Sequence, residues 1–432
     1  MSKSHPASTS TELRNALRYL LRWVPIAIPA GILGGSASAL LLWSLNVATE
    51  TRESHKGIIA LLPVAGLFVG LLYKYLGTSV EAGNNLILDE IHDPKRTIPI
   101  RMTPLILLGT FLTHLFGGSA GREGTAIQTG ASLADQLTRP FGLRPRERRI
   151  LLMTGISAGF ASVFGTPLSG AIFGLEVLAI GTVSYDAIVP CFIAAFIGDF
   201  TTRIWGIHHT IYTVTQTPAM TLRGLFFAAL AGSAFGLTGM AFAKCTHAIG
   251  NVFKRYIAYA PLRPFLGGIL VAIGVYVIHS TRYIGLGIPA IVEMFHVEQS
   301  PWDFAGKFLF TAVTLGAGFK GGEVTPLFFI GAALGNALGY ILPLPFSLLA
   351  GMGFVAVFAG AANTPIASSL MAIELFGSEA GAYAAVACVL SYLFSGHSGI
   401  YRSQRIVNKK HDRDSAQQEA SLAVDAKIRQ IS

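Results

Sequence analysis

Charged side chains are scarce in this sequence, and this scarcity excludes most soluble protein classes. Asp, Glu, Lys and Arg make up 13% of its 432 residues, whereas an average soluble protein carries about 25%. The longest uncharged stretch, residues 324–373, is too long for one buried helix, since about 20 apolar residues already cross a bilayer. The composition predicts an all-α polytopic membrane protein and excludes an ordinary cytosolic enzyme. Further long uncharged stretches include residues 23–49, 102–121, 150–175, 224–243, 264–281 and 380–401.

Cysteine is also scarce, and the common cofactor motifs are missing. Cys191, Cys245 and Cys388 lie in apolar surroundings without paired spacing. We therefore expect free, buried thiols, and a secreted disulfide scaffold is excluded. Because HExxH, CxxC and Walker A motifs are absent, we expect no metal, redox or nucleotide cofactor.

The net charge of +9 is concentrated at the two ends of the chain and not on a nucleic-acid-binding face. Basic flanks around hydrophobic spans indicate the cytoplasmic side of a membrane. We predict that both termini are cytoplasmic, that the bilayer is the surrounding partner, and that nucleic acid is not bound. Residues 1–16 are read as a polar tail without a cleaved signal peptide. The flanking cations are Lys3, Arg14, Arg18 and Arg22, then Arg402, Arg405, Lys409, Lys410 and Arg413.

Three landmarks recur in the same order about 200 residues apart. The sequence GREGT at 121–125 corresponds to GGEVT at 321–325, and GNNLI at 83–87 corresponds to GIPAI at 287–291. Thr166-Pro167 followed by Glu176 corresponds to Thr364-Pro365 followed by Glu374 with the same ten-residue spacing. This order predicts two transmembrane repeats at 17–215 and 220–401, followed by a short cytoplasmic tail at 402–432.

Loop charges predict that the two repeats have opposite orientations in the membrane. The connection at 139–149 contains five arginines, whereas its counterpart at 340–346 contains no charge. Corresponding loops therefore prefer opposite sides of the bilayer. Such inverted repeats place a substrate site at their interface, where helices break within the membrane.

Two glycine-rich segments, 117–124 and 316–322, predict these breaks, and each is followed by an apolar helix. The free N–H groups at the start of such a helix attract an anion. Each break also carries a carboxylate, Glu123 or Glu323, and an ionisable group within the membrane is a functional candidate. A structural alternative is that Glu123 simply pairs with Arg122 or satisfies local amides. For Glu176 and Glu374, structural hydrogen bonds are the favoured interpretation.

These segments resemble the anion-binding loops of the CLC anion channels and transporters, at 83–87, 121–125 and 322–326. Tyr401 matches the family's C-terminal tyrosine, and 166–176 resembles a helix start of the family. The resemblance covers residues 20–401 and implies a fold of tilted and broken helices. It also implies a homodimer with one pathway per subunit, here without a cytoplasmic regulatory (CBS) domain.

Several residues depart from the chloride-transporting members of that family. Asn84 replaces a serine, Thr125 replaces a proline, and Glu323 replaces an apolar residue. Val177 stands where chloride/proton antiporters place a second, inner glutamate, beside the structural Glu176. These differences resemble the fluoride-specific bacterial branch. The resemblance therefore implies a fluoride/proton antiporter that exports fluoride across the bacterial inner membrane.

We assign the site residues on this resemblance and on their chemistry. Glu123 is expected to be the gate and main proton carrier, because its carboxylate competes with the anion when ionised and leaves the site when protonated. Glu323 is expected to be a second carboxyl that donates a hydrogen bond to fluoride when protonated. Candidate anion-binding residues, through backbone amides or side chains, are Asn84, Gly124, Thr125, Val324, Thr325 and Tyr401.

Two alternatives remain open at this point. The first keeps the fold but transports chloride or nitrate, as a carrier or a channel. The second is an intramembrane serine hydrolase, because Ser119 and Ser157 each lie in a G-x-S-x-G pattern. That pattern requires a preceding strand and an acid–base partner, and an open strand is disfavoured in lipid.

Overall fold

The computed structural model describes residues 9–410, which form sixteen α-helices and two very short strands. The predicted all-α membrane fold is confirmed. The helices are α1 Thr9–Ser54, α2 Leu62–Leu76, α3 Asn84–His92, α4 Met102–Leu115, α5 Glu123–Asp135, α6 Pro145–Phe164, α7 Pro167–Glu176, α8 Ile188–Ile204, α9 Leu222–Tyr256, α10 Leu262–Ile278, α11 Ile288–Met294, α12 Asp303–Gly316, α13 Val324–Leu338, α14 Phe346–Ala362, α15 Pro365–Phe376 and α16 Ser378–Phe394; the strands are β1 Ala179–Ile180 and β2 Arg405–Ile406.

Helix lengths within the described residues separate full spans from broken ones. Four helical segments are long and apolar enough to cross a membrane: Thr11–Ser54, Lys56–Leu76, Tyr185–Ile204 and Leu222–Tyr256. In contrast, α5 has 13 residues and α13 has 15, fewer than the ~20 that a span requires. The predicted interruption of helices is therefore present at both glycine-rich segments.

Glycines with positive φ angles interrupt the helical structure before α5 and α13. Gly117 has φ 89° ahead of α5, and Gly318 and Gly321 have φ 103° and 149° ahead of α13. Only glycine adopts such angles without strain. α5 begins at Glu123, within the glycine-rich segment 117–124 and directly after Arg122, whose backbone lies in the right-handed helical region.

Close packing on neighbouring helices holds both short helices in place. A Cβ atom on Gly155 of α6 would lie 2.6 Å from the carbonyl oxygen of Gly130 in α5. Gly331 of α13 and Gly353 of α14 approach each other in the same way. Small residues permit this backbone contact, which is common between membrane helices.

Glu176 and Glu374 connect α7 and α15 reciprocally. The Glu176 carboxylate accepts hydrogen bonds from the backbone N–H groups of Ile366 (3.0 Å) and Ala367 (2.8 Å), near the start of α15. The Glu374 carboxylate accepts bonds from Leu168 and Ser169 near the start of α7, both at 2.8 Å. Each carboxylate caps a helix that lies in the other predicted repeat. The structural role expected for both glutamates is thus present.

The segment after α16 is ordered against the helices as far as residue 410. β2 pairs in parallel with β1, and the Gln404 side-chain amide donates to the carbonyl oxygens of Val177 and Ala362. The low apolar content of the segment after Tyr401 predicts a frayed helix or a disordered tail, which is wrong for 402–410, because these hydrogen bonds fix the backbone. Residues 9–16, assigned to the N-terminal tail, form the first turns of α1. Residues 1–8 and 411–432 of the predicted tails lie outside the described residues.

The three cysteines are free, as expected. Cys191 and Cys388 are buried, but Cys245 is only partly buried, so the prediction of three buried thiols is wrong for that residue. Cys245 lies near the C-terminal end of α9, on a long helix with many exposed positions.

Candidate functional site

The two glycine-rich loops meet each other directly. The Gly121 N–H donates to the Gly322 carbonyl oxygen at 2.6 Å, and the Gly322 N–H donates to the Gly121 carbonyl oxygen at 2.8 Å. A Cβ atom on Gly322 would lie 2.6 Å from the Gly124 nitrogen. The loops can approach this closely only because side chains are absent, and the contact places the start of α5 beside the start of α13.

Glu123 is fully buried at this junction, and its carboxylate lies on the amino terminus of α13. Its Oε2 atom accepts hydrogen bonds from the backbone N–H of Thr325 at 3.0 Å and of Arg122 at 3.1 Å. Its Oε1 atom accepts a bond from the Thr325 hydroxyl. Backbone amides at a helix start form a general anion site. The carboxylate therefore occupies a position that a free anion could also occupy.

Arg122 also contributes to the environment of Glu123. Its Nε atom lies 3.6 Å from Glu123 Oε1. Glu123 therefore pairs with Arg122, as the structural alternative predicts. The pairing is not exclusive, because Thr325 supplies two further donors. Arg122 also lines a large cavity of about 630 Å³, which we call the outer cavity; Glu123 does not line it.

A smaller cavity, which we call the inner cavity, brings together Asn84, Glu323 and Tyr401. Its volume is about 140 Å³. The Asn84 side-chain oxygen and the Tyr401 hydroxyl are buried without a hydrogen-bond partner within residues 9–410. A buried polar group without a partner costs about 1–3 kcal/mol, so this cavity favours an occupant that can form hydrogen bonds. A Cβ atom on Gly124 would lie 3.2 Å from Asn84 Nδ2, so Asn84 also lies next to the start of α5.

The side chains of two predicted anion-binding residues, Val324 and Thr125, are engaged in other contacts. The Val324 side chain is fully buried in the hydrophobic core. The Thr125 hydroxyl is hydrogen bonded to the hydroxyl of Thr110 at 2.6 Å. For both residues the backbone N–H at the start of a helix is the group that could meet an anion. Nothing in the sequence indicated Thr110, which lies in the middle of α4.

The structure adds Asn85 and Ser403 to the surroundings of the inner cavity. The Asn85 side-chain oxygen accepts a hydrogen bond from the Ser403 N–H at 3.0 Å. This bond joins the start of α3, where Asn84 lies, to the segment that follows Tyr401. Asn85 belongs to the GNNLI sequence singled out above, but nothing in the sequence indicated Ser403.

The serines of the two G-x-S-x-G patterns are engaged in structural hydrogen bonds. Ser119 donates to the Tyr283 carbonyl oxygen at 2.8 Å and contacts the Thr311 hydroxyl at 2.8 Å. Ser157 donates to the Ala171 carbonyl oxygen at 3.2 Å. Within the described part of the chain, neither hydroxyl is hydrogen bonded to a histidine or a carboxylate, which a serine nucleophile requires.

Known proteins match this chain along most of its length. Residues 65–396 match the family described as voltage gated chloride channel. A "Chloride/fluoride channel protein" from Pseudomonas syringae pv. tomato is 56% identical over 408 residues, which cover 93% of this chain and 90% of the relative. The crystal structure of a CLC-type fluoride/proton antiporter superposes with a TM-score of 0.86 at 32% identity, covering 90% of this chain and 98% of that one. A slow cyanobacterial Cl⁻/H⁺ antiporter has a TM-score of 0.77 at 21% identity over 88% of this chain and 96% of its own, and shows the fold alone.

Proposed function

The chain belongs to the voltage-gated chloride channel (CLC) family and is therefore an anion transporter and not an enzyme, and from this membership we propose that it is a fluoride/proton antiporter. It would export fluoride as protons move the opposite way. The observation that carries the proposal is the Glu123 carboxylate at the start of α13, bound by the Thr325 amide and hydroxyl.

Competition between this carboxylate and the anion couples the two ions. While Glu123 is ionised, its oxygens occupy the Thr325 donors and exclude an anion from them. Protonation removes the charge that these donors stabilise, so the side chain can leave and the anion can take its place. When the carboxyl group later releases its proton on the other side, it displaces the anion. One side chain thereby links proton movement to anion movement in the opposite direction.

The surroundings favour fluoride as the anion. Fluoride is small and strongly hydrated, so losing its water requires several close hydrogen-bond donors. The Tyr401 hydroxyl and the Asn84 amide could supply them in the inner cavity, and a protonated Glu323 would add another. The similarity to a fluoride/proton antiporter and to a chloride/fluoride channel protein supports this choice.

Chloride remains the second candidate, because the name of the same relative includes it. A chloride transporter would use the same gate at Glu123 but would not need the extra carboxyl of Glu323. Competition between the two halides in one assay separates these functions.

The proposed transport also requires an arrangement in the membrane. We propose inverted repeats at 17–215 and 220–401, a homodimer with a pathway in each subunit, and cytoplasmic termini in the bacterial inner membrane. The reciprocal bonds of Glu176 and Glu374 and the pairing of Gly121 with Gly322 support the repeats, since each joins equivalent segments.

The test is fluoride efflux from liposomes that contain the purified protein, recorded together with external pH. We expect fluoride efflux to drive proton uptake, and an imposed pH gradient to drive fluoride uphill. Efflux of chloride with no efflux of fluoride would favour the second candidate. Fluoride efflux without any pH change would contradict antiport.

A further inference from the structure

A third cavity, which we call the basic cavity, adjoins the inner cavity, and four of its lining residues are cationic. Its volume is about 300 Å³. Glu81 is the single carboxylate among its lining residues. Clefts lined by charge of one sign concentrate ions of the opposite sign, so this lining favours an anion. The cationic lining residues are Lys74, Lys254, Arg263 and Lys320.

Lys320 lies where the basic cavity and the inner cavity meet. Tyr73, Glu81 and Lys320 line both cavities. The Lys320 Nζ atom lies 3.8 Å from the centroid of the Tyr73 ring. Its ammonium group forms no salt bridge and no hydrogen bond to another group of residues 9–410, so it remains able to bind an anion from either cavity.

Gly109 of α4 makes room for this side chain. A Cβ atom on Gly109 would lie 2.9 Å from both Cβ and Cγ of Lys320. The stem of Lys320 is thus packed against the backbone of α4, and its ammonium group lies over the Tyr73 ring. This packing keeps the ammonium group at the junction of the two cavities.

We propose that the basic cavity collects the small inorganic anion before transport, and that Lys320 binds it during its passage into the inner cavity. This inference rests on the proposed function and deepens it by naming the cavity and the residue through which the anion enters. Lys320 is the cation common to both cavities, so its charge attracts the anion on each side of the junction. The passage leads towards Asn84, Glu323 and Tyr401.

Neutral and charge-conserving variants of Lys320 test this role. Lys320→Met keeps the length and apolar stem of the side chain but removes its charge. We expect the KM for fluoride to rise about tenfold, the low end of the effect of charge-lined clefts, with an unchanged number of protons per fluoride. Lys320→Arg should stay close to the wild type. Lys244→Met, on an exposed position of α9 that lines none of these cavities, is the matched control.

Ionic strength and lipid composition provide readouts that a purely structural lysine would not change. We expect the KM of the wild type to rise as the concentration of an inert salt of a large anion is raised, because the salt screens the charge of Lys320. The KM of Lys320→Met should change less, because this variant lacks that charge. The difference in KM between the wild type and Lys320→Met should persist in vesicles of zwitterionic lipid alone. Loss of this difference in such vesicles would mean that the basic cavity binds anionic lipid headgroups, and it would overturn the proposal. An equal KM in the wild type and Lys320→Met overturns the role of Lys320 but leaves the proposed function intact. Absence of fluoride efflux from the wild type overturns both.

Discussion

The carboxylate of Glu123 and the backbone N–H of Thr325 are joined by a hydrogen bond of 3.0 Å across 202 residues of sequence. The two residues begin different helices, α5 and α13, whose glycine-rich loops pair with each other. A carboxylate from one helix therefore neutralises the positive end of the other. In the proposed mechanism this contact is the closed position of the gate.

Replacement of Glu123 by glutamine removes the titrating group but preserves most of the side chain's shape. We expect Glu123→Gln to lose proton-coupled fluoride transport, because an amide cannot take up and release the proton. The measurement is simultaneous recording of fluoride and pH in liposomes. Glu379→Gln, at an exposed position at the start of α16, should behave like the wild type. Unchanged coupling in Glu123→Gln would remove this residue from the mechanism.

Thr325→Val removes the hydroxyl that donates to Glu123 but retains the backbone N–H. A hydrogen bond to a charged acceptor contributes about 1.5–3 kcal/mol, so the carboxylate holds its position less well. We expect fewer protons to move per fluoride, because an anion can then enter without a protonation step. Thr325→Ser retains the hydroxyl and should keep the wild-type ratio. Equal ratios in the Val and Ser variants would show that the amide alone holds the gate.

Tyr401→Phe tests the inner cavity without disturbing the fold. The Tyr401 hydroxyl has no hydrogen-bond partner in the described residues, so its removal should not lower the melting temperature. The KM for fluoride should rise about fivefold, which corresponds to one hydrogen bond of ~1 kcal/mol. Tyr383→Phe is the opposite control, because the Tyr383 hydroxyl donates to the Ala219 carbonyl oxygen at 3.0 Å. Tyr383→Phe should lower the melting temperature and leave the KM for fluoride unchanged. A fall in melting temperature for Tyr401→Phe would argue for a structural role of the Tyr401 hydroxyl.

The sequence predicted the membrane fold and the two helix breaks because both depend on local composition. Glu123 was recognisable as a carboxylate in a glycine-rich break of an apolar chain. The hydroxyl partnership of Thr125 with Thr110 was not recognisable, because it depends on how α4 packs against α5. For the same reason nothing local indicated that Lys320 lies between two cavities.

The partners of Glu176 also required the structure. Its hydrogen bond to the Ile366 N–H joins residues 190 positions apart, and a ten-residue spacing repeated in two halves does not reveal an exchange between them. The repeat was visible in the sequence, but its contacts depend on the relative placement of the halves.

Removal of the Glu176 or the Glu374 carboxylate, each of which caps a helix in the other proposed repeat, should reduce stability without changing the proton-to-fluoride ratio. Glu374 accepts two backbone hydrogen bonds from α7. Glu374→Ala leaves these N–H groups without their acceptor, and we expect a loss of about 1–3 kcal/mol in the free energy of unfolding. Thermal unfolding in detergent would measure it, with Glu379→Ala as the exposed control. Glu176→Ala should have a similar effect, since it removes the equivalent pair of bonds from α15. If either variant changed the proton-to-fluoride ratio at normal stability, the glutamate would belong to the transport pathway.

The contact between the two loops depends on the absence of a side chain at Gly322. A Cβ atom there would lie 2.6 Å from the Gly124 nitrogen, a separation that the backbone must relieve by moving. We expect Gly322→Ala to push the start of α5 away from α13 and to separate Glu123 from Thr325. Coupled fluoride transport should then fall sharply, and overpacking should reduce stability by about 1–3 kcal/mol. Gly57→Ala is the matched control, because a Cβ atom at Gly57 meets nothing within 4 Å. Since both variants add one methyl group to a glycine, a difference between them must come from the position of the glycine. Normal coupled transport by Gly322→Ala would mean that the loops tolerate separation, and the gate would then not depend on their direct contact.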